Sequence, residues 1–142
     1  MKNRIRDQVQ VVAEPWRESP YYSQAENWTF IFWGENTVFR QLFDQLDLAS
    51  VLELACGWGR HAEQCIDSCR KMVIMDVFEE NLEKTSMRLE DKGAEKLKAL
   101  LGDGFSFQPV GENELTAIYC YDAMVHFSPD IVESYLMDAK RV

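Results

Sequence analysis

VLELACGWGRHA, residues Val51 to Ala62, is the stretch on which the reading of this chain turns. Val51 to Leu54 is a short apolar run of the kind that forms a buried strand, Cys56-Gly57-Trp58-Gly59 reads as a tight turn, and a helix opens from Arg60. A strand, a glycine turn and a helix start in that order present backbone N–H groups to a small ligand.

Working outward, Ala62, Cys65, Ile66 and Cys69 continue a helical stripe, and Met72-Val73-Ile74-Met75 forms a second apolar run ending at Asp76. Glu79 to Lys92 reads as a helix through Leu82, Thr85, Ser86 and Leu89, with Gly93 as its stop. Leu97 to Leu101 is a weaker third strand closed by Gly102-Asp103-Gly104. Leu115 to Tyr121 is a fourth, expected inside the sheet because it is nearly all apolar. Ser128-Pro129-Asp130 combines an N-cap, a proline at the first helical position and an acid near the positive end of the dipole. Strands alternating with helices predict an α/β fold: a doubly wound, mostly parallel, Rossmann-like sheet flanked by helices. In such sheets ligands bind beyond the carboxyl ends of the strands.

Ahead of this core, Pro15 and Pro20 mark irregular backbone and aromatics crowd together: Trp16, Tyr21, Tyr22, Trp28, Phe30, Phe32 and Trp33. They predict an N-terminal aromatic helical arm over residues 1–35, packing on the body or closing a ligand pocket. Asn36 or Thr37 caps a helix with apolar positions Val38, Phe39, Leu42, Phe43 and Leu46. With 142 residues and 46% hydrophobic content, the expectation is one domain over 1–142, the core occupying 36–142.

The formal charge of −9 repels a nucleic-acid backbone on average. No run approaches a membrane span, and the polar start MKNRIRDQ lacks a signal peptide's apolar core, so the cytoplasm is the expected location. Cys56, Cys65, Cys69 and Cys120 have no CxxC spacing and only two histidines to join them, so they are expected as core residues and no metal site is expected.

The glycine turn admits two chemistries. Gly57, Gly59 and Ala62 fit a dinucleotide fingerprint, with Asp76 as the ribose-binding acid of a nicotinamide enzyme. The same residues also read as acid-x-small-x-Gly-x-Gly, through Glu53, Ala55, Gly57 and Gly59. A carboxylate at the strand end suits a cofactor bearing an ammonium group and a positive sulfur better than a pyrophosphate.

Taken together, ELACGWGRH, VIMD, GDGF and YCYDAMVHF resemble the class I S-adenosylmethionine-dependent methyltransferases, from about Val51 to Phe127. SPYYSQAE, Ser19 to Glu26, is similar to the arm of small bacterial members. The resemblance implies that Glu53 and the backbone of Ala55, Cys56 and Gly57 hold the methionine part of S-adenosylmethionine. By the same resemblance Asp76 takes the ribose hydroxyls, Val77 lies beside the adenine, Asp103 accepts the adenine amino hydrogen, and Gly104 and Phe105 line that edge. Tyr121 and Asp122 would close the pocket below the sulfonium, and His126 would face the substrate as base or contact. The acceptor, a small molecule, would be walled by Tyr21, Tyr22 and Trp33. Arg60 would meet the cofactor carboxylate or solvent, and His61 backbone or cofactor. Ala55 departs from the pattern, standing where the family's first glycine usually sits.

The family's sheet normally has seven strands, whereas four and one further helix are legible here. The fold is therefore expected to be truncated after the fourth strand and following helix, leaving that strand as an edge for a homodimer or a partner to cover. A cofactor-binding but catalytically incomplete module and a nicotinamide-dependent enzyme are the alternative readings.

Overall fold

The structure is a computed structural model that describes residues 2–142. Four parallel strands, β1 (Val51–Leu54), β2 (Met72–Asp76), β3 (Leu97–Leu101) and β4 (Ala117–Cys120), form one sheet in the order β3-β2-β1-β4. Val51 pairs with Met72 on one side and Ala117 on the other, so β1 is central and the chain order reverses beside it.

Strand periodicity then sorts the side chains into two layers. Val51, Met72, Ile74 and Tyr119 face a core closed by Trp33, Phe43, Ala62, Cys65, Ile66, Cys69, Leu82 and Leu89. Leu52, Leu54, Val73, Met75 and Leu100 face the other, against Phe107, Val110, Ile131 and Tyr135. The first layer holds α4 (Val38–Phe43), α5 (Ala62–Cys65) and α6 (Glu79–Arg88); the second holds α8 (Pro129–Asp138), so helices cover both faces as the alternation predicts.

The local signals act where expected. The Thr37 hydroxyl accepts the Arg40 N–H to start α4, and Ser128 does the same for Ile131 at the start of α8, with Pro129 in the first turn. All four cysteines are free and at least half-buried, as core residues should be. Two expectations are corrected. The helix from Glu79 does not run unbroken to Lys92: it ends at Arg88 because Leu89 turns fully into the core, and α7 (Glu90–Gly93) follows as a separate turn closed by Gly93 at φ 135°. The apolar run 115–121 lies at the sheet edge and not inside it, with only Ala117 to Cys120 in β4, paired to β1 alone. Its apolar composition comes from serving both layers, since Tyr119 packs in one and Ile118 and Cys120 in the other.

The arm is helical, as α1 (Lys2–Ala13), α2 (Tyr21–Gln24) and α3 (Thr29–Trp33), joined by single turns. Arg4 and the Gln8 amide donate to Asp130 at the start of α8, while Arg17 donates to Glu80 at the start of α6. Arg88 donates to Glu26 at 2.9 Å. The arm thus bridges α8 and α6 across the carboxyl ends of the strands. Among the described residues no helix is long and apolar enough to cross a membrane, and no group of three or more His, Cys, Asp or Glu could hold a metal ion.

Candidate cofactor and acceptor pocket

Beyond β1 the chain turns through a left-handed series, Ala55 (φ 58°), Gly57 (φ 53°) and Gly59 (φ 75°). Left-handed backbone is free for glycine and costs roughly 1–2 kcal/mol at a residue with a Cβ. Ala55 carries that strain, so Ala55→Gly is expected to raise stability by about 1 kcal/mol, read as a higher denaturant midpoint at unchanged slope. The bare α-carbons of the glycines are used for close approach. A Cβ on Gly59 would lie 2.6 Å from Thr85 Cγ2, and one on Gly57 would lie 2.6 Å from the Tyr22 ring.

The turn is pinned to its neighbours. Cys56 N–H donates to Met75 O at 3.2 Å and Thr85 Oγ1 to Gly57 O at 2.9 Å. Asp76, at the end of β2, is buried and gathers three donors: Gly57 N–H at 3.0 Å on Oδ2, and Phe78 N–H at 3.0 Å with the Asn81 amide at 3.2 Å on Oδ1. Burial nevertheless pushes its pKa up, the backbone donors pulling the other way. A carboxylate offers about four acceptor positions, and because the Val77 N–H also bears on Asp76 beside these three, a ligand hydroxyl must displace one of the donors. The Asn81 amide also reaches Tyr22 Oη at 3.3 Å, which makes it the donor best able to turn aside.

Ala55, Cys56, Gly57, Met75, Asp76, Phe78 and Tyr22 line one cavity of about 120 Å³ at the carboxyl ends of the strands. Of the residues expected in the site, Ala55, Cys56, Gly57, Asp76, Val77, Gly104, Tyr121, Asp122, His126, Tyr21 and Tyr22 are brought together there. Four are not among its lining. Glu53 points into the layer beneath, on the face of Val51, where it accepts Tyr119 Oη–H at 2.9 Å and the Ala62 N–H, and burial raises its pKa to about 8. Asp103 spends its carboxylate within its own turn, accepting the Phe105 and Ser106 N–H groups at 2.9 and 2.7 Å. Phe105 is buried behind that turn, and Trp33 is buried behind His61.

The arm supplies the cavity's roof. Tyr22 stacks on Trp58 with centroids 5.3 Å apart, and Trp16 lies 4.5 Å from the exposed His126 ring. Val9 covers Gly104 so closely that a Cβ there would meet it at 2.2 Å. The Tyr21 hydroxyl donates to Asp122 and accepts from Arg60, whose other nitrogen donates to Ala25 O at 2.7 Å. Desolvation, reinforced by Asp122, pushes the Tyr21 pKa up to about 12, so it stays a neutral donor. Asp122 itself sits at φ 55°, an unusual conformation for aspartate.

The sequence suggested no binding role for Val9 or Trp58, placed Trp16 only among the aromatics of an arm that packs on the body or closes a pocket, and left Arg60 and His61 as general contacts. Arg60 and His61 were the ones within reach, being polar residues that follow the glycine turn directly and end up buried at 8% and 5% exposure.

The sequence profile of a methyltransferase domain matches residues 51–142, well over half the chain. Three solved structures share the fold. PH0226 from Pyrococcus horikoshii OT3 is 21% identical, with 91% of this chain and 60% of that one covered at a TM-score of 0.71. A SAM-dependent methyltransferase from Aquifex aeolicus is 16% identical, with coverages of 84% and 64% and a TM-score of 0.67. Phosphoethanolamine N-methyltransferase 1 of Haemonchus contortus, solved with phosphoethanolamine and S-adenosylhomocysteine, is 16% identical, with coverages of 99% and 30% and a TM-score of 0.65. The chain therefore spans between 30% and 64% of the length of these three structures. No curated protein gives a match. By its profile and its sheet, the chain belongs to the methyltransferase domain family.

Proposed function

We propose that the chain binds S-adenosylmethionine and transfers its methyl group to a small-molecule acceptor. The observation that carries this reading is the left-handed turn from Ala55 to Gly59, which sets the bare face of Gly57 beside the buried carboxylate of Asp76. A cofactor's methionine part approaches backbone closely only where no Cβ intervenes, and a carboxylate next to it suits a vicinal diol. Gly104, also at positive φ, offers a second bare face beside Val77 for the adenine. Glu53 serves from beneath, holding Ala62 and Tyr119 around the turn.

When bound, S-adenosylmethionine supplies an electrophilic methyl group on a positive sulfur. The protein's part is then to orient the acceptor in line and exclude water, effects worth roughly 7–11 kcal/mol in well-aligned reactions. Trp16, Tyr21, Tyr22 and Tyr121 form the apolar walls for that alignment, and His126 stands at the mouth as the candidate base. The outer edge of β4, which pairs with no strand among the described residues, would take a second copy or a partner strand beside it.

Calorimetry with S-adenosylhomocysteine and with NAD tests the cofactor: tight NAD binding without the homocysteine would sink the reading. Labelled methyl transfer into an extract of small molecules tests turnover, and binding without transfer would support a cofactor-holding module. Asp76→Ala is expected to weaken S-adenosylhomocysteine at least tenfold, because one charge-assisted contact contributes about 1.5–3 kcal/mol. An affinity unchanged by that substitution would remove Asp76 from the ribose site.

A further inference from the structure

His61 is a histidine whose proton is placed by the fold. It is 5% exposed, and its Nδ1 accepts the Trp33 indole N–H at 2.9 Å. A neutral imidazole carries one proton, so the accepting role of Nδ1 puts that proton on Nε2. Nε2 is itself buried and has no hydrogen-bond partner among the described residues. A buried donor left unpaired is costly, so one that persists beside a cavity is a place for a water or a ligand oxygen to accept from it. His61 lines the same cavity as Tyr121 and Arg60, its ring 4.9 Å from that of Tyr121 and 5.9 Å from that of Phe32. It thus stands on the β4 side, across from Asp76, Val77 and Gly104.

We infer that His61 Nε2–H is the recognition donor for the methyl acceptor, binding a carbonyl or carboxylate oxygen carried by a flat, apolar molecule. This rests on the methyltransferase reading above and names the acceptor class of that site. A fixed N–H offers nothing to an ammonium group, and the neighbouring Arg60 guanidinium, 5.7 Å from the centre of the Phe32 ring, repels one. Tyr121 beside His61, backed by Phe32, supplies a flat wall for the rest of the molecule, and Tyr21 and Tyr22 line the same cavity. Burial keeps the imidazole neutral, its pKa lowered to about 3, so His61 orients the acceptor and removes no proton from it.

The test uses the full chain, nitrogen-labelled at histidine, with benzoate and benzylamine as matched probes of opposite charge. Calorimetry first establishes S-adenosylhomocysteine binding; if there is none, the methyltransferase reading fails and this inference falls with it. In the chain loaded with S-adenosylhomocysteine, NMR is expected to show Nδ1 bare and Nε2 protonated throughout pH 5 to 8. Benzoate is expected to shift the Nε2–H signal, while benzylamine binds at least tenfold more weakly. His61→Phe is expected to weaken benzoate at least tenfold with S-adenosylhomocysteine affinity unchanged, and His61→Gln, which keeps an N–H, to recover most of the loss. Three results overturn the inference while sparing the cofactor reading: a proton on Nδ1, an Nε2–H signal that moves with S-adenosylhomocysteine alone, or benzoate binding that His61→Phe leaves intact. The tautomer is read in the unsubstituted chain, so a variant that fails to fold does not shelter the claim.

Discussion

Stability measured against pH is expected to form a plateau between about pH 4.5 and 6.5 and to fall on both sides of it, because two buried groups titrate with opposite sign. Glu53 ionises at about 8 in the fold, against 4.5 when exposed, since burial outweighs its bonds to Tyr119 and Ala62. Above pH 4.5 the unfolded chain has lost that proton and the folded chain keeps it, so stability declines as pH rises until about 8. His61 runs the other way. Its pKa is lowered from 6.5 to about 3, so below 6.5 the unfolded chain gains a proton that the fold refuses, and stability declines as pH falls. Between 4.5 and 6.5 the two slopes cancel.

Each unit on a single limb is worth about 1.4 kcal/mol, giving losses of about 2 kcal/mol from pH 6.5 to 8 and again from 4.5 to 3. Asp76, also raised by burial, loses stability in the same sense as Glu53, as pH rises from 3.8 towards its folded value. Glu63 and Asp138 are lowered, held by Lys92 and Arg88 in the one case and Arg141 in the other, and add to the acid loss. Urea titrations at half-unit steps would show the plateau. Glu53→Gln is expected to flatten the alkaline limb and His61→Phe the acid one. An alkaline limb that survives Glu53→Gln would place that loss in some other group.

Glu53 and His61 also show what the sequence could and could not convey. The strand, turn and helix around Gly57 were legible because each depends on residues within a few positions of one another, and so were Gly93 and the caps at Thr37 and Ser128. Glu53 follows Val51 by two, so strand alternation alone puts it on the Val51 face, away from the cavity floor where Leu54 lies. A carboxylate's attraction for a charged cofactor says nothing of the face it occupies, and alternation sets that. His61 depends on Trp33, far back in the arm, and no local pattern announces which nitrogen carries the proton. The position of β4 was hidden for a related reason. A strand packed by both layers is apolar whether or not it has a neighbour on each side, so LTAIYCY describes the layers and is silent on the edge.

The arm's seat on the glycines is expected to show as strong coupling between Gly57→Ala and Tyr22→Ala. In the intact arm, an alanine at 57 bears both left-handed backbone and a ring 2.6 Å from its Cβ, for a destabilisation of about 2–3 kcal/mol. With Tyr22 already cut to alanine the ring is gone and only the backbone strain of about 1 kcal/mol remains, so the cycle leaves a coupling of about 1–2 kcal/mol. Val9 and Gly104 form an independent second cycle, the approach there being 2.2 Å. An arm that stands away from the body in solution gives additive effects in both. At the proposed cofactor site the same contacts would set how S-adenosylmethionine enters, because Tyr22 and Val9 lie against the two faces proposed for its methionine part and adenine. Those side chains must withdraw before the cofactor can lie there, and the Tyr21 hydroxyl on Asp122 is one of the latches holding them. Tyr21→Phe is therefore expected to speed S-adenosylhomocysteine association several-fold in stopped-flow fluorescence, with Trp58 reporting as Tyr22 leaves its stack. An association rate indifferent to both Tyr21→Phe and Tyr22→Ala would mean that the arm closes after the cofactor has bound and does not guard its entry.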